Sequence, residues 1–244
     1  MQHLYSGPVA IDDLPLPVVN FLNVLGVPWP YIDEDVVSQF AAFTRDFATA
    51  VQTTHDDATR AVAGIAGAYQ GSATDAMSSG WARMSARHVD ELVDGCHVLA
   101  VALDVAAGYI VAQKAEAIAV LVGMAAAFVA DQAAAVATAG LAEAAVPLII
   151  EGAELLVKSL VMDLEQHIIG QVIEAAAKPL FAKVEEALAG LDWSQSGTTQ
   201  SEAATGVSLD PAALARQVAV LRDHATALGQ HGTRFAGLVA SLEF

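Results

Sequence analysis

The chain has 244 residues, which is enough for one large domain or two small ones. Hydrophobic residues make up 55% of it and aromatic residues only 6%, and alanine dominates many stretches, a composition that favours closely packed helices. The formal net charge of −17 opposes binding to nucleic acid and docking on an anionic membrane. Because Cys96 is the single cysteine, an internal disulfide and a cysteine-based metal cluster are excluded.

Residues 1–30 form a proline-rich lead-in, in which prolines separate short apolar pieces: Pro8, Pro15, Pro17, Pro28 and Pro30. Proline fixes its own backbone angle and disfavours helix in the residue before it. We therefore expect an extended segment with one helical turn around residues 18–25. Residues 1–8 lack a basic segment followed by an apolar core, so no general secretory signal peptide is expected.

Residues 31–112 have the pattern of a long helical hairpin. Asp33 stands where it can cap the first helix. Apolar residues then recur in steps of three and four, with His55 in the one gap: Val36, Phe40, Phe43, Phe47, Val51, Ala58, Val62, Ile65 and Tyr69. A helix of this length would extend over roughly 50 Å.

The turn of the hairpin is expected at residues 69–72 and carries Tyr69, Gln70 and Gly71. We expect glycine to supply left-handed turn geometry, and Ser72 to cap the second helix with Asp75 completing a capping box. A second stripe follows at helical spacing: Met77, Trp81, Met84, His88, Leu92, Cys96, Leu99, Leu103, Ala106 and Ile110. The two matched stripes predict an antiparallel pair of helices.

Residues 113–192 form an alanine-rich extension, which we expect to be a helical bundle broken near Pro147 and Pro179. Its longest uninterrupted apolar run, residues 117–130, is shorter than the roughly 20 residues that span a bilayer, and Asp131 ends it. A soluble chain is therefore the better interpretation. Residues 193–207 are rich in Ser, Thr, Gly and Gln without periodicity, which predicts a linker.

Residues 208–244 predict a C-terminal, coiled-coil-like helix, with Asp210 as its cap and Pro211 in its first turn. Five large apolar residues recur at strict seven-residue spacing: Leu214, Leu221, Leu228, Phe235 and Leu242. Periodicity alone leaves two interpretations open. The helix packs on its own domain, or these five residues form an interface for a further helix from a partner or a longer parent chain.

The sequence contains no glycine-rich phosphate loop, nucleophile elbow, zinc-binding histidine pair or CxxC motif. The seven histidines are scattered along the chain. We therefore expect no catalytic residues, no metal and no cofactor, and a protein that is not an enzyme. In a hairpin turning at residues 69–72, His55 and His88 should lie at similar height. They are a candidate pH-sensitive pair, alternatively two satisfied core imidazoles.

Two helices joined by an aromatic-x-Gly turn resemble the WxG-motif proteins of type VII (ESX) secretion, with Tyr69-Gln70-Gly71 in the place of Trp-x-Gly. The stretch Val27-Pro28-Trp29-Pro30-Tyr31-Ile32-Asp33-Glu34-Asp35-Val36, followed by the long helix, is most similar to the larger CpnT-like N-terminal domains of actinobacterial polymorphic toxins. The resemblance covers roughly residues 27–191. It departs from the family in having tyrosine instead of tryptophan at the turn.

The resemblance implies a secretion-associated scaffold or targeting domain whose partners are a small helical protein or further helices of a longer chain, and the type VII machinery. It implies a chain that is cytoplasmic before export, then secreted or at the cell surface. The family's export signal, Tyr-x-x-x-Asp/Glu after the second helix, is not found there, because Tyr109 is followed by Gln113. The sequence therefore leaves open whether this chain is exported cargo or the escort of its partner. It also leaves open whether the chain is a separate adaptor or the N-terminal piece of a toxin or effector.

Two other functions are compatible with the sequence. A membrane-inserting or channel-forming protein would use residues 117–150 as an insertable hairpin. The charges of Asp131 and Glu143 and the overall negative charge argue against this function. An acidic helical cytosolic enzyme or ligand-binding protein would hold a small molecule in its alanine-rich core. The oligomeric state, homo- or hetero-oligomer, is not fixed by the sequence.

Overall fold

The computed structural model describes residues 14–29, 32–137, 146–189 and 208–242, and these ranges are almost entirely helical, as the predicted all-α fold requires. In chain order the elements are α1 (Leu16–Leu25), α2 (Glu34–Ala68), β1 (Tyr69–Gln70), α3 (Ser72–Met84), a π-helical segment π1 (Ser85–Val89), α4 (Asp90–Ala137), α5 (Val146–His167), a second π-helical segment π2 (Ile168–Ala177), α6 (Lys178–Ala189), β2 (Ser208–Leu209) and α7 (Pro211–Ala240). The predicted linker at 193–207 lies outside the described residues.

The lead-in is more helical than the single turn expected, because α1 is ten residues long. Pro17 lies in its first turn, where a missing backbone N–H removes no helical hydrogen bond. Gly26 ends the helix with φ 68°, a left-handed conformation that glycine adopts without steric cost. Val18, Phe21 and Leu22 form the buried side of this short helix.

The start of α2 confirms the predicted cap. The Oδ1 atom of Asp33 accepts hydrogen bonds from the backbone N–H of Asp35 at 2.8 Å and of Val36 at 3.2 Å. These two amides have no partner inside the helix, so the cap satisfies donors that a bare helix end would leave open. Glu34 and Asp35 in the first turn also suit the positive end of the helix dipole.

Two of the expected helix boundaries are wrong, and the expected break near Pro147 coincides with the start of α5. Ser72 is the first residue of α3 and not its cap, since Gly71 takes the cap position without a side-chain hydrogen bond. Pro147 stands second in α5, where its missing N–H has no consequence. Near Pro179 the chain stays helical through π2 and α6, because the wider π-helical turns adjust the backbone before the proline. The expected division at residue 112 falls inside α4.

The described helices group into two compact units, and the first comprises the residues up to 39 and residues 103–173. Phe21 of α1 lies against Phe128 of α4, with ring centroids 5.5 Å apart. Nζ of Lys114 on α4 donates to Oε2 of Glu34 on α2 at 2.7 Å, and both side chains are buried. The buried apolar residues of this unit include Val18, Leu22, Val37, Ala106, Ile110, Leu121, Leu160 and Leu164.

The second unit comprises residues 40–102 and the chain from residue 174 onward. In it α2 pairs with the α3–π1 arm, since His55 contacts Ser85 and Trp81 contacts Thr59. Thr59 follows His55 in α2, whereas its partner Trp81 precedes Ser85, the partner of His55. The two arms therefore run in opposite directions, which confirms the predicted antiparallel hairpin. On α4, a Cβ atom added to Gly95 would lie 2.5 Å from Cδ1 of Leu180, so α6 packs closely on this helix.

One described helix, Asp90–Asp131, is long and apolar enough to cross a membrane by length and composition, with a mean hydropathy of 1.8 in its most apolar window. The sequence interpretation counted only the run at 117–130 and so underestimated this helix. Core helices of soluble proteins meet the same criterion, and 39% of that window is buried inside the protein.

Candidate partner interface

The hairpin turn is held by backbone pairing with the segment that precedes α7. Tyr69 pairs with Leu209 and Gln70 with Ser208 in an antiparallel two-stranded ladder. Beyond the ladder, the N–H of Asp210 donates to the carbonyl oxygen of Ala68 at 2.9 Å. The hairpin turn and the segment before α7 are therefore joined within the second unit. The sequence pattern did not predict this pairing.

The aromatic-x-Gly pattern has a physical explanation in this turn. The ring of Tyr69 folds over Gly71, and a Cβ atom at position 71 would lie 3.3 Å from Oη and 3.4 Å from Cζ of that ring. Gly71 has φ 169° and ψ 166°, an extended conformation, so the expected left-handed geometry is wrong. A side chain at position 71 would require the Tyr69 ring to move by a few tenths of an ångström. Thr74 adds a hydrogen bond from its Oγ1 to the carbonyl oxygen of Tyr69 at 2.9 Å.

His55 is buried in a small polar and aromatic layer between α2 and the second arm. Its Nε2 atom shares a short hydrogen bond with Oγ of Ser85, and its ring stacks on Trp81 with centroids 5.3 Å apart. Nε1 of Trp81 donates to Oγ1 of Thr59 at 2.9 Å, and that hydroxyl donates to the backbone carbonyl of His55 at 2.9 Å. Three hydrogen bonds and one ring stack thus link His55 and Thr59 of α2 to Trp81 and Ser85 of the second arm.

His88 lies half-buried in π1, three residues beyond Ser85. The residue that the hairpin brings to His55 is therefore Ser85, almost one helical turn before the predicted partner. The second apolar stripe includes Trp81, but Ser85 and Thr59 could not be predicted, because their hydroxyl groups give no periodic signal. The pH-sensitive pair stays a prediction.

The heptad residues of α7 lie on the side that packs along α2 in the second unit. Phe235 stacks on Phe47, with ring centroids 4.7 Å apart, and lies 6.5 Å from the ring of Phe40. Oγ1 of Thr54 and Nε2 of His231 are hydrogen-bonded at 3.0 Å. Helix α7 thus packs on α2 of the same chain, which agrees with the interpretation that the tail helix packs on its own domain.

This contact covers the heptad residues only in part. Leu214, Leu221, Phe235 and Leu242 are half-buried, and Leu228 is 38% exposed. None of the residues of α7 is buried. A single neighbouring helix leaves one side of such a stripe open to solvent, so the stripe keeps apolar surface that a further helix would cover.

Beside the aromatic stack, α2 and α7 enclose a groove of about 300 Å³, lined by Phe43, Asp46, Phe47, Thr49, Ala50, His231, Arg234, Phe235 and Leu238. Aromatic rings and an arginine around a concave surface are typical of the residues that contribute most to protein–protein binding. The sequence periodicity predicted Phe235 here but not the groove, because a stripe does not say which surface it will meet.

The described residues contain no group of three His, Cys, Asp or Glu side chains close enough to hold a metal ion. Cys96 is buried, and desolvation raises the pKa of its thiol to about 11. At neutral pH this thiol stays protonated, and a protonated thiol is a poor nucleophile. Its position suits a small core residue of α4.

Comparison with known proteins gives one family assignment. A model of the WXG100 like domain matches residues 12–151, which is more than half of the 244 residues. The match includes α1, the hairpin of α2, α3 and α4, and the start of α5. No curated protein and no solved structure gives a significant match. With this match and with the aromatic-x-Gly turn between two antiparallel helical arms, the chain belongs to the WXG100-like domain family.

Proposed function

We propose that this protein is a type VII secretion-associated helical domain that acts by helix–helix contact with another protein and has no enzymatic activity. The observation that carries the proposal is the family hairpin itself, whose turn is closed by the Tyr69 ring on Gly71 and tied to the tail by the β1–β2 ladder. A hairpin of this kind presents long helical surfaces, and helical surfaces are stabilised by further helices.

The tail helix offers the surface for that partner. The five heptad residues are half-buried to exposed, and the groove of about 300 Å³ lies beside them with three phenylalanine rings and Arg234. An amphipathic helix that inserts apolar side chains at spacings of three and four residues would fill both features. With a net charge of −17 on this chain, association is faster when the partner helix carries basic flanks.

The finer assignments are part of the proposal. The chain is cytoplasmic before export and reaches the cell surface or the medium through the type VII system, as cargo or as the escort of its partner. A role as the N-terminal part of a secreted actinobacterial toxin rests on the likeness of the Pro-Trp-Pro lead-in and the alanine-rich helices to such domains.

Export tests this function directly. The tagged chain is expressed in its native host and in a derivative that lacks the type VII membrane ATPase, and the chain and the helical protein that co-purifies with it are measured in cells and medium. We expect at least one of the two to leave the cell in the parent strain and to stay inside in the derivative. An identical distribution of both proteins in the two strains would contradict the proposal.

A membrane-inserting protein is the second candidate, because helix Asp90–Asp131 has the length and hydropathy of a membrane span. Two features count against it: the helix ends in aspartates, and Lys114 lies within the span, where it is fully buried against Glu34. Co-sedimentation with neutral phosphatidylcholine vesicles separates the two functions. Strong binding to these vesicles would favour insertion over a soluble scaffold.

A further inference from the structure

A pocket lies between the end of the lead-in and helix α5, within the first unit. Its volume is about 480 Å³, which is in the range of sites that bind small molecules. Trp29, only 5% exposed, supplies one wall. Val27 of the lead-in and Val157 and Val161 of α5 make the rest of the lining largely aliphatic. The pocket is therefore a concave surface that suits an apolar ligand.

The indole N–H of Trp29 is a buried donor without an acceptor. Its Nε1 atom is shielded from solvent and has no hydrogen-bond partner among the described residues. An indole N–H can only donate, and a buried polar group that is left unpaired destabilises the folded chain. Because Trp29 lines the pocket, a ligand that carries an oxygen atom can supply the missing acceptor.

Two opposite charges stand at the rim of the pocket. Glu154 and Lys158 both line it, both are exposed, and they are four residues apart on α5. Neither forms an ion pair with the other or with another described residue. Glu174 and Lys178, which have the same order and spacing, do pair at 3.1 Å. The spacing thus permits a pair that is not made at the rim, and both charges are available to a ligand.

We propose that this pocket binds a short zwitterionic peptide, in the simplest case a dipeptide of two aliphatic residues. The peptide carboxylate accepts from the ammonium of Lys158 and from the indole N–H of Trp29. The peptide ammonium pairs with Glu154, and the aliphatic side chains lie against Val157 and Val161. This binding activity goes beyond the secretion role, because it concerns a small molecule and not a helical partner.

The charges of the chain favour a zwitterion over a simple ion. An aliphatic anion such as a fatty acid would be attracted by Lys158 but repelled by Glu154 and by the net charge of −17. A cation would be attracted by Glu154 but repelled by Lys158. A zwitterion offers an opposite charge to each of the two side chains, so it alone is complementary to both.

The length of the ligand follows from the separation of the two charged residues. Four residues of an α-helix rise by about 6 Å. Two extended residues of a peptide span about 7 Å, whereas one residue spans about half of that distance. The termini of a dipeptide therefore match the separation of Glu154 and Lys158 better than those of a single amino acid.

The test is a titration of the full chain with leucyl-leucine, followed by NMR of the indole N–H groups. Trp29→Phe assigns the signal of Trp29 among those of the three tryptophans. We expect this signal to move on binding, with a Kd on the order of 0.1–1 mM. The signal of Trp81 should stay in place, because Trp81 belongs to the second unit.

Blocked peptides show which terminus each charged side chain binds. The C-terminal amide of leucyl-leucine lacks the carboxylate and should bind about tenfold more weakly, because it loses two charge-assisted hydrogen bonds. The N-acetyl derivative lacks the ammonium and should bind about threefold more weakly, since it loses one exposed ion pair.

Variants of the two rim residues complete the assignment. Lys158→Gln should remove most of the difference between leucyl-leucine and its amide, and Glu154→Gln most of the difference from the N-acetyl derivative. The matched controls are Lys183→Gln and Glu185→Gln, which make the same changes of charge at exposed positions of α6. Both controls should bind leucyl-leucine within about twofold of the parent. Circular dichroism confirms that every variant keeps its helical content.

Three results would overturn the proposal. The first is a Trp29 signal that does not move up to about 10 mM leucyl-leucine, ten times the weakest expected Kd. The second is equal binding of leucyl-leucine and its two blocked forms, which would mean that the rim charges do not contact the ligand. The third is binding of octanoate or of free leucine as tight as that of leucyl-leucine. The export assay and the α7 surface do not involve this pocket, so the secretion function is tested separately.

Discussion

Lys114 and Glu34 form an ion pair that is almost wholly removed from solvent, with side chains 0% and 4% exposed. A charge that is taken out of water loses several kcal/mol of hydration, which is regained only while the opposite charge stays in place. The pair therefore fixes how the start of α2 meets α4 in the first unit. Neither the spacing nor the composition of the sequence predicted it, because the two residues lie 80 positions apart.

The single variants Lys114→Met and Glu34→Gln should each lower the free energy of unfolding by about 3–5 kcal/mol, since each removes one charge of a buried ion pair. The double variant should lose clearly less than the sum of the two, because both single variants remove the same interaction. Urea unfolding followed by circular dichroism measures all three. Additive losses would mean that the two side chains do not depend on each other.

Burial raises the pKa of Cys96 to about 11, which makes stability depend on pH at the alkaline end. The thiol of the unfolded chain loses its proton at lower pH than the buried thiol does. Between about pH 9 and 11 the folded state therefore binds more protons, and its stability falls as pH rises, by on the order of 2 kcal/mol.

Cys96→Val removes this dependence while it keeps a similar side-chain volume. The parent should lose more free energy of unfolding than the variant between pH 8 and about pH 10.5, as measured by urea titration, because only the parent carries the thiol. Tyrosine and lysine residues titrate in the same pH range, but their contributions to the free energy of unfolding are the same in both proteins and cancel in the comparison. Parallel curves would show that the thiol is not desolvated.

At the scale of elements, the periodicity of the sequence predicted the helices but not which helices pack against each other. The cap at Asp33 and the antiparallel hairpin could be predicted, since both depend on local chemistry and spacing. The contact of α7 with α2 was one of two open interpretations, because a stripe fixes which side is apolar but not what covers it. The contact of His55 with Ser85 could not be predicted, since a hydroxyl residue leaves no mark in an apolar stripe.

Gly71 and Gly67 form a matched pair for testing the turn. An added methyl group at position 71 meets the Tyr69 ring at 3.3 Å, whereas one at position 67 meets nothing within 4 Å. Gly71→Ala should therefore lower stability by about 1 kcal/mol through overpacking, and Gly67→Ala in α2 should raise it by up to about 1 kcal/mol through helix propensity.

Thermal unfolding by calorimetry shows both signs as shifts of Tm. The Tyr69→Ala background supplies the control, because removing the ring should abolish the cost at position 71. If Gly71→Ala cost the same with and without the ring, another constraint would have to explain the glycine.

At the scale of the whole molecule, the family could be predicted and the binding surfaces could not. Tyr69-Gln70-Gly71 between two long apolar stripes, together with the Pro-Trp-Pro lead-in and the alanine-rich continuation, indicated the family that the match at residues 12–151 shows. The groove beside Phe47 arises from contacts between distant segments. Single-sequence patterns do not encode those contacts.

The central claim is that this helical scaffold works by binding another helix along α7, and two residues of that helix test it. Leu228 and Val220 are 38% and 37% exposed, but Leu228 belongs to the heptad stripe and Val220 lies outside it. The measurement is the Kd of the co-purifying helical protein for Leu228→Glu and Val220→Glu, by titration calorimetry. We expect about a tenfold or larger loss for Leu228→Glu and less than about a twofold change for Val220→Glu. Equal affinities of the two variants would contradict the account.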